Sequence, residues 1–217
     1  MLFDYIENDT TIMFSGDSVT DCGRGRPYGN CQTGLGSGYP FFIHNILTGT
    51  YPEKHIKIVN TGISGETSSD VRTHWESDMT AIKPDYAAIM IGVNDVWRKY
   101  DSYMFPERQV SVKQYEENLR YIVADAKRKT KGFMIISPFF LDLNKNDAMR
   151  KDVDELNVIL RKIAYETDSL FCDVQAALDL LLTKLNTTAY SLDRVHPFPH
   201  THYAIARCIL STIGFKF

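Results

Sequence analysis

The sequence lacks a long apolar run and a basic leader. Its hydrophobic stretches fall well short of the roughly 18 to 20 residues that a membrane-spanning helix requires. The N-terminal stretch MLFDYIENDTT is acidic and has neither the positive nor the apolar region of a secretory signal. The sequence therefore predicts a soluble, cytoplasmic protein with no membrane partner.

Basic residues are neither abundant nor clustered. The 24 Lys and Arg residues are balanced by 27 Asp and Glu residues, which gives a formal net charge of -3. No stripe of positive charge marks a nucleic-acid surface, so we expect no nucleic-acid partner. The glycine-rich motifs GxGxxG and GxxxxGKS/T, which hold dinucleotides and nucleotide phosphates, are also missing.

Cysteine is scarce and scattered. None of the four cysteines has the CxxC spacing of a metal site; they are Cys22, Cys31, Cys172 and Cys208. Reduced thiols are the default in a chain that is not exported. A disulfide between Cys22 and Cys31 remains open as an alternative.

The sequence does contain a regular alternation of short apolar runs and longer amphipathic segments. Five runs rich in Ile, Val, Met and Phe predict buried parallel strands over residues 11–16, 56–62, 86–92, 132–137 and 170–174. Between them, apolar residues spaced three and four apart predict helices packed on the sheet, and a last helix is expected over residues 200–213. No repeat or Pro/Gly/Ser-rich linker divides the chain, so we predict a single α/β domain over residues 1–217.

Residues 96–110 interrupt this alternation. Their sequence, VWRKYDSYMFPERQV, is aromatic and charged and follows the end of a predicted strand. Connections of about fifteen residues are uncommon and often functional. A substrate-binding role, an ordered surface loop and a contact in a homo-oligomer all remain open.

Ser18 and a distant Asp/His pair carry the first chemical signal. The first predicted strand runs into SGDSVTDCG, which places Ser18 at the sheet edge where open parallel sheets bind ligands. A serine hydroxyl needs a base within hydrogen-bond reach, and that base must be oriented by a third group. In SLDRVHPFPH, Asp193 precedes His196 by three residues in a loop before the last predicted helix. We therefore predict Ser18 as the nucleophile, His196 as its base and Asp193 as the orienting carboxylate.

Two further strand ends supply hydrogen-bond donors. Acyl transfer requires donors aimed at the oxygen that becomes negatively charged. Gly65, in NTGISGETSS, has no Cβ and can bring its N–H close to a ligand. Asn94, in IGVNDVW, can donate from its side-chain amide. Because Ser18, Gly65 and Asn94 follow different strands at one edge, we expect them to surround the same reacting group.

Taken in order, GDS, NTGISGETS, GVND and DRVHP resemble the four sequence blocks of the SGNH hydrolases, a family of GDSL-type serine esterases. The resemblance spans the whole chain. It implies a flavodoxin-like three-layer α/β/α sandwich with a five-stranded parallel sheet. It also implies that the Ser18 N–H, the Gly65 N–H and the Asn94 amide form an oxyanion hole, in a reaction that needs no cofactor and no metal.

Other segments are similar to one branch of that family. GDSVTDCGRGRPYG, GLGSGYP, GVNDVWRKYD and DVQAALD look like the intracellular acetylxylan esterases, which remove acetyl groups from xylose units. This resemblance implies a small acetylated carbohydrate, or another short-chain ester, as substrate. We expect the substrate contacts to include Asp17, Tyr39, Trp97 and Arg98. Aromatic rings offer flat faces for stacking on sugars, and the candidates are Tyr28, Tyr39, Trp97, Tyr100 and Tyr103. Close members of the branch often carry Trp where this chain has Leu192, a departure that bears on sugar specificity.

Three other interpretations compete with this one. His196, His200 and His202 are spaced so that they can share a metal ion, although HExxH and an obvious carboxylate ligand are missing. A non-enzymatic flavodoxin-like module that binds phosphate after the first strand has no need of Asp193 and His196. A thioesterase or lysophospholipase of the same fold requires a long apolar acyl channel, which the polar segment GRGRPYGNCQTG beside Ser18 argues against.

Overall fold

The computed structural model describes residues 6–217, so residues 1–5 of the acidic N-terminal stretch lie outside the described part. Its strands form one parallel sheet in the order β2-β1-β3-β4-β5, with β1 Thr11–Gly16, β2 Lys57–Asn60, β3 Tyr86–Met90, β4 Gly132–Ile136 and β5 Leu170–Cys172. All five predicted strands are confirmed. The last four end earlier than predicted because the chain leaves the ladder to form the loops at the carboxyl edge, as where the Gly62 N–H donates to Asn60 Oδ1 at 3.0 Å.

Helices cover both faces of this sheet. The α-helices between residues 6 and 217 are α1 Ser18–Asp21, α2 Tyr39–Thr50, α3 Ser68–Ile82, α4 Val93–Asp101, α5 Val112–Lys129, α6 Ala148–Thr167, α7 Val174–Leu182 and α8 Pro199–Thr212. Short 3-10 turns span Pro52–Lys54, Pro106–Arg108 and Thr187–Ala189. In this described part of the chain, no helix is both long enough and apolar enough to cross a membrane.

Alternate side chains of each strand enter two separate apolar cores. Phe14 of β1 packs edge-on against Tyr39 of α2, in the core that α2, α7 and α8 share with the sheet. Met13, on the opposite face of β1, lies in the core formed with α3, α5 and α6, where Trp75 packs edge-on against Phe133. This period-two alternation produces three layers. The flavodoxin-like α/β/α fold expected from the sequence is confirmed.

The prediction that residues 96–110 form one irregular connection is wrong. Their first part belongs to α4, which buries Val93 and Val96 against the core and begins three residues before the predicted loop. The apolar positions recur at helical spacing, but charged and aromatic neighbours on the other face hide the stripe in the sequence. The irregular part is confined to residues 102–111 around the 3-10 turn Pro106–Arg108.

Buried contacts join the loops that follow β1 and β2. Arg24 is only 6% exposed; its Nε donates to the Gly62 carbonyl at 2.7 Å and its Nη2 to the Thr61 carbonyl at 3.2 Å. Gly16 has a φ of +155°, and a Cβ there would lie 2.2 Å from the Met90 carbonyl oxygen, so only glycine lets the ends of β1 and β3 approach this closely. The loop that carries Ser18 is therefore held close to the loop after β2 and to the end of β3.

Candidate active site

Ser18, His196 and Asp193 form one continuous chain of hydrogen bonds. His196 Nε2 lies 2.9 Å from Ser18 Oγ, and His196 Nδ1 lies 2.6 Å from Asp193 Oδ2. A carboxylate can only accept, so Nδ1 carries the proton that it donates to Asp193. In the neutral imidazole, Nε2 is then the acceptor for the Ser18 hydroxyl. The arrangement has the contacts needed to remove a proton from Ser18.

The loop before α8 holds Asp193 by its own backbone. Asp193 Oδ1 accepts from the His196 N–H at 2.8 Å, the Val195 N–H at 3.0 Å and Ser191 Oγ at 3.0 Å. Val195 is 1% exposed and anchors the loop in the core. Partial burial acts to raise the pKa of Asp193, but the hydrogen bonds from the His196 ring and from these N–H groups outweigh it and lower the pKa to about 2. Asp193 is therefore a carboxylate at neutral pH.

Asp17 orients the turn that presents Ser18. Ser18 is the first residue of α1, and Asp17 Oδ1 accepts from the Val19 N–H at 3.0 Å as the N-cap. Burial raises the pKa of Asp17 to about 7, against the effect of the Val19 hydrogen bond, and the negative charge of Asp95 acts in the same direction as burial. Asp17 is 1% exposed, so its side chain faces into the protein as a helix cap, and its contact with substrate stays a prediction.

Tyr39, another residue predicted to contact substrate, lies in the core. Tyr39 is fully buried, and its hydroxyl lies 2.9 Å from Thr20 Oγ1. It begins α2 and faces the sheet, because a helix that covers one face must bury its apolar side. The ring presents no face to solvent in this structure.

Gly65 and Asn94 meet at the same sheet edge. Gly65 is exposed and has a φ of +86°, a conformation that favours glycine. Asn94 lies in the first turn of α4 and is 3% exposed. Its Nδ2 donates to the carbonyl of Glu66, the residue after Gly65, at 2.9 Å. The structure thus places the two predicted donors side by side, although they follow different strands.

Trp97 and Arg98 lie beside these groups. The Trp97 ring centroid is 5.8 Å from that of His196, and Arg98 Nη2 donates to Asn94 Oδ1 at 3.1 Å. Arg98 also pairs with Asp101. Both side chains are partly exposed at the edge that carries the Ser18–His196 contact.

The other aromatic candidates and Leu192 are distributed differently. The Tyr100 hydroxyl donates to Asp152 at 3.1 Å, and burial together with the nearby Asp78 raises the pKa of Tyr28. Tyr103 and Leu192 are 71% and 82% exposed. Leu192 therefore presents an aliphatic side chain to solvent directly before Asp193.

A polar cavity of about 340 Å³ opens next to Gly65. It is lined by Gly65, Thr67, Ser69, Asp70, Arg98, Glu107, Arg108, Gln109, Val110 and Gln114. Val110 is the one apolar side chain in this set. The cavity brings the end of the 96–110 region next to the proposed oxyanion donors.

The histidines and cysteines near Ser18 have separate partners. His200 Nε2 lies 2.8 Å from the Ala189 carbonyl oxygen, and His202 Nε2 lies 3.2 Å from Cys22 Sγ. Neither ring shares a hydrogen-bond partner with His196. Across residues 6–217 no three His, Cys, Asp or Glu side chains form a cluster suited to a metal ion. Cys22 and Cys31 are free thiols in this structure, without a disulfide between them.

Sequence reasoning missed a second cluster of charged groups beside this site. The ring of His74 contacts the carboxylates of Glu66 and Asp78, and Glu66 directly follows Gly65. The four-residue spacing of His74 and Asp78 is a helix signal that predicts their contact. The contact with Glu66 depends on the path of the loop and has no such signal.

Comparisons with other proteins agree with this architecture. The model of the GDSL-like lipase/acylhydrolase family matches residues 14–204. An acetylxylan esterase from Geobacillus stearothermophilus is 44% identical over 206 residues, which are 94% of each chain. A crystal structure of an acetylxylan esterase from that organism has a TM-score of 0.94 at 43% identity and 97% coverage of both chains. An α/β hydrolase from the metagenome of Lake Arreo has a TM-score of 0.93 at 34% identity and 96% coverage of both chains.

Further structures of the Geobacillus esterase are catalytic mutants in which alanine replaces a serine, an aspartate and a histidine. In that enzyme the aspartate and the histidine are three residues apart, as Asp193 and His196 are here. Family match, identity over nearly the full length and fold lead to the same conclusion. This chain belongs to the GDSL-like lipase/acylhydrolase family.

Proposed function

We propose that this protein is a serine esterase that removes acetyl groups from xylo-oligosaccharides or related carbohydrates. The observation that carries the proposal is the hydrogen-bond chain from Ser18 Oγ through His196 to Asp193, with contacts of 2.9 and 2.6 Å. It lies at the carboxyl edge of a parallel sheet, where such folds bind ligands.

In the proposed reaction, His196 Nε2 takes the Ser18 proton as Oγ attacks the ester carbonyl carbon. The carbonyl oxygen becomes an oxyanion and accepts hydrogen bonds from the Ser18 N–H, the Gly65 N–H and the Asn94 amide. The tetrahedral intermediate collapses to an acyl-enzyme as the imidazolium gives its proton to the leaving alcohol. Water then attacks the acyl-enzyme with His196 again as base, releasing acetate and restoring Ser18.

The polar lining of the neighbouring cavity supports a substrate whose alcohol part is rich in hydroxyl groups. Its lining combines amides, hydroxyls and guanidinium groups with the carboxylates of Asp70 and Glu107, so its charges largely balance. Such groups match the donors and acceptors of a neutral sugar. The 44% identical relative is an acetylxylan esterase, which supports the same substrate class.

The rival activities find less support. A lysophospholipase or long-chain thioesterase needs an apolar channel for its acyl chain, whereas Val110 is the one apolar side chain of this cavity. A phosphate-binding module gives no role to a hydroxyl that contacts an imidazole paired with a carboxylate.

A substrate panel tests the proposal. It compares kcat/KM for acetylated xylo-oligosaccharides, 4-nitrophenyl acetate, 4-nitrophenyl octanoate and an acyl thioester. We expect the acetyl esters to exceed the octanoyl ester and the thioester by at least about 10²-fold, because a polar site excludes a long apolar chain. Preference for the octanoyl ester or the thioester would refute carbohydrate deacetylation and favour one of the rival esterases.

A further inference from the structure

Apart from His196, the part of the chain that the structure describes contains a histidine, His74, that is held between two carboxylates. His74 Nδ1 lies 2.8 Å from Asp78 Oδ2, and His74 Nε2 lies 2.9 Å from Glu66 Oε2. Because both acceptors are carboxylates, both ring nitrogens donate, and the ring is an imidazolium. The hydrogen bonds from His74 to Asp78 and to Glu66 raise the pKa of His74 to about 10, although partial burial opposes this shift.

Glu66 links this ion cluster to Asn94. The side chain of Glu66 is 15% exposed and is bound to His74 on α3, while its backbone carbonyl accepts from Asn94 Nδ2 at 2.9 Å. Glu66 also follows Gly65 directly, so its position determines where the Gly65 peptide can lie. One residue therefore connects α3, the loop after β2 and the first turn of α4.

The other end of the Asn94 amide is held as well. Asn94 Oδ1 accepts from Arg98 Nη2 at 3.1 Å, one turn further along α4. A guanidinium can only donate and a carbonyl can only accept, so the two contacts fix which end of the amide is oxygen and which is nitrogen. One N–H of Nδ2 is used by Glu66, and the second has no acceptor among residues 6–217.

We propose that His74 and Glu66 are positioning residues for the oxyanion hole: their ion pair holds the Glu66 carbonyl, which together with Arg98 fixes the Asn94 amide so that its second N–H faces the reacting carbonyl oxygen. This inference rests on the proposed function, since it takes Asn94 as an oxyanion donor. Donors that are fixed before the reaction stabilise the transition state without reorganisation. A donor free to rotate loses part of that advantage.

Other groups surround the cluster, and α3 has a contact with α4 that does not involve His74. The neighbouring charged and titratable groups are Arg24, whose positive charge acts on both Asp78 and Glu66, and Tyr28, whose pKa is raised by burial and by the nearby Asp78. The start of α3 is joined to α4 separately, because Asp95 accepts from the Ser68 N–H at 3.0 Å and from Ser68 Oγ at 2.5 Å.

Two substitutions separate positioning from general stability. The amide nitrogen of Gln reaches about as far as His Nε2, so His74→Gln still donates to Glu66. The nitrogen of Asn reaches only as far as Nδ1, so His74→Asn contacts Asp78 alone. With 4-nitrophenyl acetate we expect His74→Asn to lower kcat about tenfold at unchanged KM, and His74→Gln to retain most of the wild-type kcat. His55→Asn, at an exposed histidine beside Asp9, is the matched control and should leave kcat unchanged.

A double-mutant cycle shows whether the effect passes through Asn94. In an Asn94→Ala background the donor is gone, so adding His74→Asn should change kcat by less than about twofold. Three results would each overturn the inference. In the first, the kcat losses of His74→Asn and Asn94→Ala multiply in the double mutant. In the others, His74→Gln and His74→Asn have equal kcat, or Asn94→Ala leaves kcat unchanged. The proposed function is judged separately, on hydrolysis by the unaltered protein and its loss in Ser18→Ala.

Discussion

His196 and His74 are both bonded to carboxylates near one sheet edge, and they differ in the group that the second ring nitrogen contacts. His196 donates to Asp193 at 2.6 Å and faces the Ser18 hydroxyl at 2.9 Å. His74 donates to Asp78 at 2.8 Å and to the carboxylate of Glu66 at 2.9 Å. The side chain of His196 is 47% exposed, whereas that of His74 is 23% exposed.

Because of this difference, the His196 ring can accept a proton, whereas the His74 ring can only position the groups bonded to it. A general base must offer an unprotonated nitrogen to the proton it removes. His196 has one, because only its Nδ1 faces a carboxylate. His74 has none, because acceptors on both sides keep both nitrogens protonated. With a second carboxylate as partner, the histidine is instead a fixed cation that joins the loop after β2 to α3.

Ser18→Ala tests the reactive side of this comparison and should give the largest effect. Without the hydroxyl no acyl-enzyme can form, so we expect hydrolysis of 4-nitrophenyl acetate to fall by about 10⁴-fold or more. Ser37→Ala, which removes an exposed hydroxyl 3.4 Å from the Cys22 carbonyl oxygen, is the control and should keep full activity. Equal thermal stability of both variants would show that the fold stands. Activity retained by Ser18→Ala would contradict the assignment of the nucleophile.

Paired carboxylate substitutions compare the two histidines directly. In Asp193→Asn an NH2 group can face His196 Nδ1, which favours the tautomer with the proton on Nε2 and removes the base. We expect kcat to fall by about 10³- to 10⁴-fold. Asp78→Asn should cost no more than about tenfold in kcat, because Asp78 acts on Asn94 indirectly, through His74 and Glu66. Losses of similar size would mean that the two rings do not have different roles.

The sequence predicted the contacts among Ser18, His196 and Asp193 because they depend on few features of the fold. Once five buried parallel strands are recognised, the residues after β1, β2 and β3 must lie at one edge. That placed Ser18 near Gly65 and Asn94. The spacing of Asp193 and His196 brought a carboxylate to an imidazole within a single loop.

The direction of a side chain was harder to predict than its place at the sheet edge. Asp17 adjoins Ser18 and Tyr39 follows the GLGSG segment, yet both side chains point into the protein, because capping and core packing determine their direction. Nearness in sequence does not determine exposure. The contact of His74 with Glu66 escaped prediction because it depends on the path of the loop that follows Gly65.

The smallest expected effect concerns stability and tests whether His74 is a fixed cation. The pKa of His74 is raised from 6.5 to about 10 by its hydrogen bonds to Asp78 and Glu66. Its charged form therefore stabilises the fold fully below pH 6.5, and this contribution is lost as the pH rises through 10. His74→Gln has no such charge, and all other titrating groups are common to both proteins. The wild-type Tm should exceed that of His74→Gln by a few degrees near pH 6, since about 1 kcal/mol shifts the Tm by about 2 to 4 °C in a domain of this size. The gap should close towards pH 10, and a gap that stays constant from pH 6 to 10 would show that the ring is not held as an imidazolium.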